Sequence, residues 1–147
     1  MNKLVGILVI LLMAGCEPAD TTPGLWLSGT LRPFPEDWSF TEGHREIAIE
    51  VGTPYFVPHS VTIWCADLEG DLYVGAAAPE TKNWPSWVMD DPDVVLKVGD
   101  EIYEARLTRL SDPEQMSRVS SVYTAKYDLG PQGDDYIQWF WSVGPRE

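Results

Sequence analysis

The chain has 147 residues, with ten Lys plus Arg against twenty-three Asp plus Glu, a formal charge of −13 and 44% hydrophobic residues. So acidic a balance leaves no basic stripe to displace counterions from a phosphate backbone, which excludes nucleic acid as a partner. An ordinary apolar fraction, with twelve Gly and twelve Pro scattered along the chain, excludes disorder and fibrous repeats and leaves one globular domain.

The first fifteen residues differ from everything after them. Lys3 is a short positive start, and Leu4 to Ala14 is an apolar run of eleven residues interrupted only by Gly6. At 1.5 Å per residue that run spans ~17 Å, too short for a ~30 Å hydrocarbon core and suited to the apolar segment of an export signal. Leu12-Met13-Ala14-Gly15-Cys16 then resembles a bacterial lipoprotein signal, with small residues before a cysteine. That resemblance implies cleavage after residue 15, lipidation of Cys16 and a membrane anchor. Glu17, where Asp often marks retention in the inner membrane, favours the outer membrane if the host is Gram-negative, with the domain on the periplasmic side. Residues 17–24 show no periodicity and read as a tether, so residues 1–15 are the signal, 16–24 the lipidated Cys and tether, and 25–147 the domain. Loss of Lys3 takes the mature charge to −14 (nine basic against twenty-three acidic residues). With Cys16 carrying lipid, Cys65 has no disulfide partner, and its apolar surroundings from Val61 to Trp64 suit a buried, inert thiol.

In chain order, Leu25 to Leu31 is a short strand ended by Pro33 and Pro35. Glu46 to Val51 alternates acidic or small with β-branched residues, the period of a strand with one wet face. Val61–Asp67 and Leu72–Ala77 form a hairpin about Gly70, where positive φ is easiest. Asn83 is placed to cap a helical turn carrying Trp84, Trp87 and Val88, closed by Asp90-Asp91-Pro92. Val94–Val98 and Glu101–Arg109 form a second hairpin across Gly99-Asp100. The spacing of Ser111 and Glu114 starts a helix whose Met116, Val119, Tyr123 and Tyr127 share one face. Ile137 to Val143 is the last strand. Hairpins with one or two covering helices argue an antiparallel barrel, mainly β.

Several chemistries are missing. There is no G-x-S-x-G elbow, phosphate loop, H-E-x-x-H or C-x-x-C, and His44 and His59 are too few for a His-rich zinc or haem site. The acidic groups Asp67-Glu69-Asp71, Asp90-Asp91-Asp93 and Asp134-Asp135 read as solvated turns. Seven tryptophans are the outlier. Such density fills a small core or lines a pocket for a flat ligand. Core filling suits Trp26, Trp64 and one or both of Trp139 and Trp141, whereas Trp84 and Trp87, on a connection beside Lys82, are candidates to face a ligand.

Five segments together carry a further resemblance: Gly70-Asp71-Leu72-Tyr73-Val74, Lys82-Asn83-Trp84, Asp91-Pro92-Asp93-Val94, Val98 to Ala105, and Asp112-Pro113-Glu114. They resemble the split β-barrel flavoproteins, the superfamily of pyridoxamine-phosphate oxidase-like proteins and deazaflavin-dependent nitroreductases, over roughly half of the mature chain. In the nitroreductase branch a Trp precedes a Pro by eight positions, as Trp84 precedes Pro92. The resemblance implies a six-stranded antiparallel Greek-key split barrel and a homodimer with FMN or a deazaflavin across its interface. It also implies cofactor contacts from Lys82, Asn83, Trp84 and Trp87, with Arg106 or Arg109 reaching a phosphate or the substrate.

One departure divides the functional expectation. Nitroreductase-like members carry a basic loop where residues 52–60 here hold no Lys or Arg. The chain therefore reads as a lipoprotein that binds a flavin-like cofactor and performs oxidoreductase chemistry, or as a non-catalytic envelope module whose cofactor site is degenerate and whose partner is another envelope protein.

Overall fold

The computed structural model describes residues 24–147; the expected signal, Cys16 and nearly all of the expected tether lie outside them. In chain order the elements are β1 (Thr30–Arg32), β2 (Ile47–Val51), β3 (His59–Ile63), β4 (Cys65–Leu68), β5 (Asp71–Ala76), α1 (Trp84–Asp90), β6 (Asp93–Val98), β7 (Glu101–Arg109), α2 (Pro113–Tyr127), α3 (Gly133–Tyr136) and β8 (Trp139–Gly144). Seven strands form one antiparallel path in the order β3-β2-β6-β7-β8-β5-β4. The eighth, β1, pairs in parallel with the first three residues of β7.

β3 and β4 end the path at opposite sides, yet only Trp64 separates them in sequence. A single residue spans a few ångströms, so the sheet must curl until its two ends nearly meet. That is a barrel split along the β3–β4 seam, the expected mainly-β architecture. The eight strands reduce to the six expected when β3 and β4 are taken as one strand broken at Trp64 and the three-residue β1 is left aside.

Alternation along the strands separates two cores. Cys65, Leu72, Val74 and Trp141 point into the barrel with Ile49, Leu96 and Val88. Their neighbours Ala66, Tyr73 and Phe140 point the other way, under α2, with Val119, Tyr123 and Tyr127. β4, β5 and β8 are thus buried on both faces, and α2 supplies the second cover. The α2 stripe is as its spacing predicts. Its cap is Asp112, whose carboxylate accepts the Gln115 N–H at 2.9 Å, one residue later than the Ser111–Glu114 pairing.

Trp26 departs from expectation, and Trp38, for which the sequence carried no expectation, joins the core. Trp26 is exposed, because β1 begins only at Thr30 and the segment before it lies outside the sheet. Trp38 is buried, edge-on to Phe34 (centroids 5.4 Å) and Tyr103 (5.1 Å), immediately before a 3-10 turn, Ser39–Gly43, whose position no periodic pattern marks.

Cys65 is fully buried. Burial pushes its thiol pKa up, against the opposing charge of Lys126, whose Nζ donates to the Cys65 carbonyl at 2.8 Å and lies 3.7 Å from the sulfur. The thiol stays protonated and inert at neutral pH.

Asp67, expected at the end of its strand and solvated, lies within β4 and is 91% buried, with Oδ1 unpartnered. Burial first, then the charges of Glu42, Asp37 and Asp71, raise its pKa, partly opposed by a hydrogen bond from the Gly70 N–H. A carboxyl raised on folding costs stability once pH exceeds its unfolded value, because the unfolded chain releases the proton first. Asp67→Asn keeps an acceptor for Gly70 and removes that cost. It should raise Tm by a few degrees at pH 7 and leave it unchanged near pH 3, as measured by calorimetry.

Candidate functional site: an aromatic cleft at the barrel split

The seam opens into a cleft of about 640 Å³, with β3 on one side, β5 and Ile137 on the other, and the connection into α1 across one end. Its position follows from the strand break: where β3 stops pairing and β4 begins, the sheet has two free edges that face each other without hydrogen bonds. Trp64, the residue at the break, lines the cleft. Its ring is stacked on Tyr127 (centroids 4.1 Å, interplanar 6°) and near-parallel to Tyr136 (5.8 Å, 22°). Expected as core filling, Trp64 is only half-buried. The aromatic stack holds it at the cleft edge.

Lys82, Asn83 and Trp84 all line this cleft. Trp84 is buried and inclined against Trp141 (5.2 Å, 45°), so it forms the cleft floor as well as part of the barrel core. Lys82 is exposed at the rim, and its Nζ donates to the Ala77 carbonyl at 2.5 Å. Asn83 makes no side-chain cap; its carbonyl accepts from the Ser86 hydroxyl at 2.8 Å and the Trp87 N–H at 3.2 Å. Pro85 in the first turn starts α1 in its place.

The other expected contacts lie outside the lining. Trp87 sits edge-on to Tyr55 (6.2 Å) and His59 (5.6 Å), beside the β2–β3 connection. Arg106 pairs with Asp93, its cross-strand partner, at 2.8 Å. Arg109 lies over the Trp139 ring at 4.1 Å and near Trp141 at 5.5 Å, with its Nε buried and unpartnered, and burial lowers its pKa. Both arginines are spent on neighbours within the β6–β7–β8 wall.

Sequence reasoning missed Glu46, His59, Thr62 and Tyr136 in the lining. Glu46 and Thr62 carry ordinary strand-face signals, and His59 and Tyr136 sit in stretches without periodicity. Only the closure of the seam brings these four together.

A flavin-type ring and its phosphate make separate demands on such a cleft. The rings of Trp64, Trp84 and Tyr136 fit a flat heteroaromatic group. The phosphate does not fit. Lys82 is the only Lys or Arg among the lining residues and is already engaged, while the Glu46 carboxylate borders the same space.

This is the architecture of the split β-barrel proteins, and solved structures share it. Rv2991, a conserved hypothetical protein from Mycobacterium tuberculosis, superposes with a TM-score of 0.57 at 18% identity, covering 76% of this chain and 82% of that one. An F420-H2 dependent reductase gives 0.57 at 16% identity over 68% of this chain and 94% of that one. A protein assigned as a pyridoxamine 5'-phosphate oxidase from Listeria innocua gives 0.54 at 14%, covering 74% and 90%. No sequence-family profile and no curated protein matches the chain, so the likeness is one of fold.

Proposed function

We propose that the chain is an exported lipoprotein, lipidated on Cys16 and held at a membrane by residues 16–24, whose split barrel binds the ring of a flavin or deazaflavin in the seam cleft. The observation that carries this reading is the aromatic lining by Trp64, Trp84 and Tyr136 at the seam. The names of the reductase and the oxidase that share the fold support the ligand class. Ring recognition dominates, because the cleft has no vacant cation for a phosphate and the whole chain carries −13. A second reading, a non-catalytic envelope module with a degenerate site, is favoured by the Lys82–Ala77 bond and by Glu46 in the lining.

Titrating the full chain with riboflavin, FMN and a deazaflavin, followed by tryptophan fluorescence, tests both. Riboflavin should bind at least as tightly as FMN. Lys82→Ala should change either affinity by less than about fivefold, the size of an exposed charge interaction. FMN binding more than tenfold tighter than riboflavin would show that a phosphate site exists, and no response to any of the three would leave the second reading.

A further inference from the structure

The connection from β2 to β3 presents large apolar side chains that the described residues leave largely exposed. Tyr55 is 72% exposed and Phe56 98%, with Val57 beside them. This is an ordered turn. The Thr53 hydroxyl donates to the Val57 carbonyl at 2.6 Å and accepts the Tyr55 N–H at 3.2 Å, and the Phe56 N–H donates to the Thr53 carbonyl at 3.4 Å. Phe56 has φ of 63°, the left-handed region that a bulky residue seldom occupies. The turn holds a phenyl ring outward at a conformational cost, where a polar residue or glycine would fit more easily.

The start of the described chain lies against the same end of the barrel. The Gly24 N–H donates to the Ser60 hydroxyl at 2.7 Å, the Ser60 N–H returns a bond to the Gly24 carbonyl at 2.8 Å, and the Leu27 N–H donates to Glu50 Oε2 at 2.7 Å. Glu50 and Ser60 are cross-strand partners flanking the β2–β3 connection. Leu25 and Trp26, the latter 67% exposed, are therefore held at the end of the barrel that carries the Tyr55–Val57 turn.

From these observations we propose that Leu25, Trp26, Tyr55, Phe56 and Val57 form a membrane-contacting face that seats the barrel on the lipid surface. The inference rests on the proposed lipidation of Cys16. Eight residues from Cys16 to Gly24 reach at most ~26 Å, whereas a domain of this size is ~35 Å across. Only the face beside Gly24 comes within reach of the bilayer, and that face carries the exposed aromatics. Trp and Tyr are side chains that partition to the lipid headgroup region, with Phe and Leu inserting more deeply. The face has no Lys or Arg and the chain is acidic, so the surface it suits is zwitterionic.

The test uses the full lipidated chain in phosphatidylcholine vesicles, with and without lipids brominated on their acyl chains. Bromine should quench part of the tryptophan emission; Trp26→Phe should remove most of that quenching, and the Tyr55→Ser, Phe56→Ser double variant should at least halve it. Mass spectrometry of the N-terminal peptide reports the anchor separately. A diacylated protein whose emission is equal in plain and brominated vesicles overturns the docking face and leaves the anchor standing. An N-terminal peptide without lipid overturns both. A dimer in detergent that Phe56→Ser dissociates, with Trp26 unquenched in vesicles, assigns the face to a second copy and overturns the proposal.

Discussion

Trp141→Ala is expected to lower the unfolding free energy by about 3–5 kcal/mol, the range for deleting a buried tryptophan. Trp141 is 1% exposed and lies where three parts of the barrel meet. It pairs with Val74 on β5 and Arg109 on β7, and its ring meets Trp84 at 5.2 Å and Trp139 at 6.0 Å. The indole N–H is buried without a partner, so the loss is one of packing, and no hydrogen bond offsets or adds to it. Trp141→Phe keeps most of the ring and removes the unpartnered donor, and should cost less than half as much. Urea melts of the two variants measure the difference. Stabilities of small domains are about 5–15 kcal/mol, so the alanine variant stands near the edge of folding. Because Trp84 leans on Trp141, any ligand affinity of the cleft should fall in the alanine variant even where the protein remains folded.

Stability should fall steeply above pH 10. Three of the buried tyrosines have a raised pKa, and burial is the main cause for each: Tyr103 is pushed up to about 12, Tyr127 further, and Tyr123 well above its ordinary value. The hydroxyls are also occupied. That of Tyr103 donates to Glu101 at 2.8 Å and that of Tyr123 to the Trp64 carbonyl at 2.9 Å; that of Tyr127 accepts the Cys65 N–H at 2.9 Å and lies 2.8 Å from the carbonyls of Arg45 and Cys65. An unfolded tyrosine ionises near pH 10, while these three keep their protons in the fold. Between pH 10 and 12 the unfolded chain therefore binds fewer protons than the folded one. Stability drops with rising pH, by about 1.4 kcal/mol per unit for each tyrosine held neutral. Below pH 10 the contribution is fully present. Denaturant midpoints measured from pH 8 to 12 check this, and Tyr127→Phe should flatten the decline by about a third. At neutral pH the same variant should cost about 1–3 kcal/mol, because the Cys65 N–H loses its acceptor. A flat profile to pH 12 would mean that the three hydroxyls are not sealed from solvent.

The two hairpins, the α2 stripe and the last strand were legible because each depends on local periodicity: alternation along Glu46–Val51 and the 3.6 spacing of Val119, Tyr123 and Tyr127 require only near neighbours. Trp26 and Trp38 were not legible in that way. Both sit beside prolines in segments without a period, and which of them is buried depends on where the barrel end closes. Asp67 was misplaced for a related reason. An acidic residue near a turn is usually wet, and its burial comes from the Trp38 segment, whose backbone N–H bonds the Gly70 carbonyl at 2.9 Å.

The candidate site divides along the same line. Lys82, Asn83 and Trp84 are consecutive, so a short motif was enough to single them out. Arg106 and Arg109 were singled out through the resemblance and their charge, and neither says which wall of a barrel a strand residue faces or whether an Asp or a Trp already occupies it. By itself, the sequence determined a mainly β domain, its acidic balance, its hairpins and the helix that covers them, since each is written in composition or in contacts between near neighbours. Only the tertiary structure decided that the sheet breaks at Trp64 and curls until β3 meets β5. That closure of distant strand edges places Glu46, His59 and Tyr136 around the same cleft as Lys82, and leaves Tyr55 and Phe56 exposed.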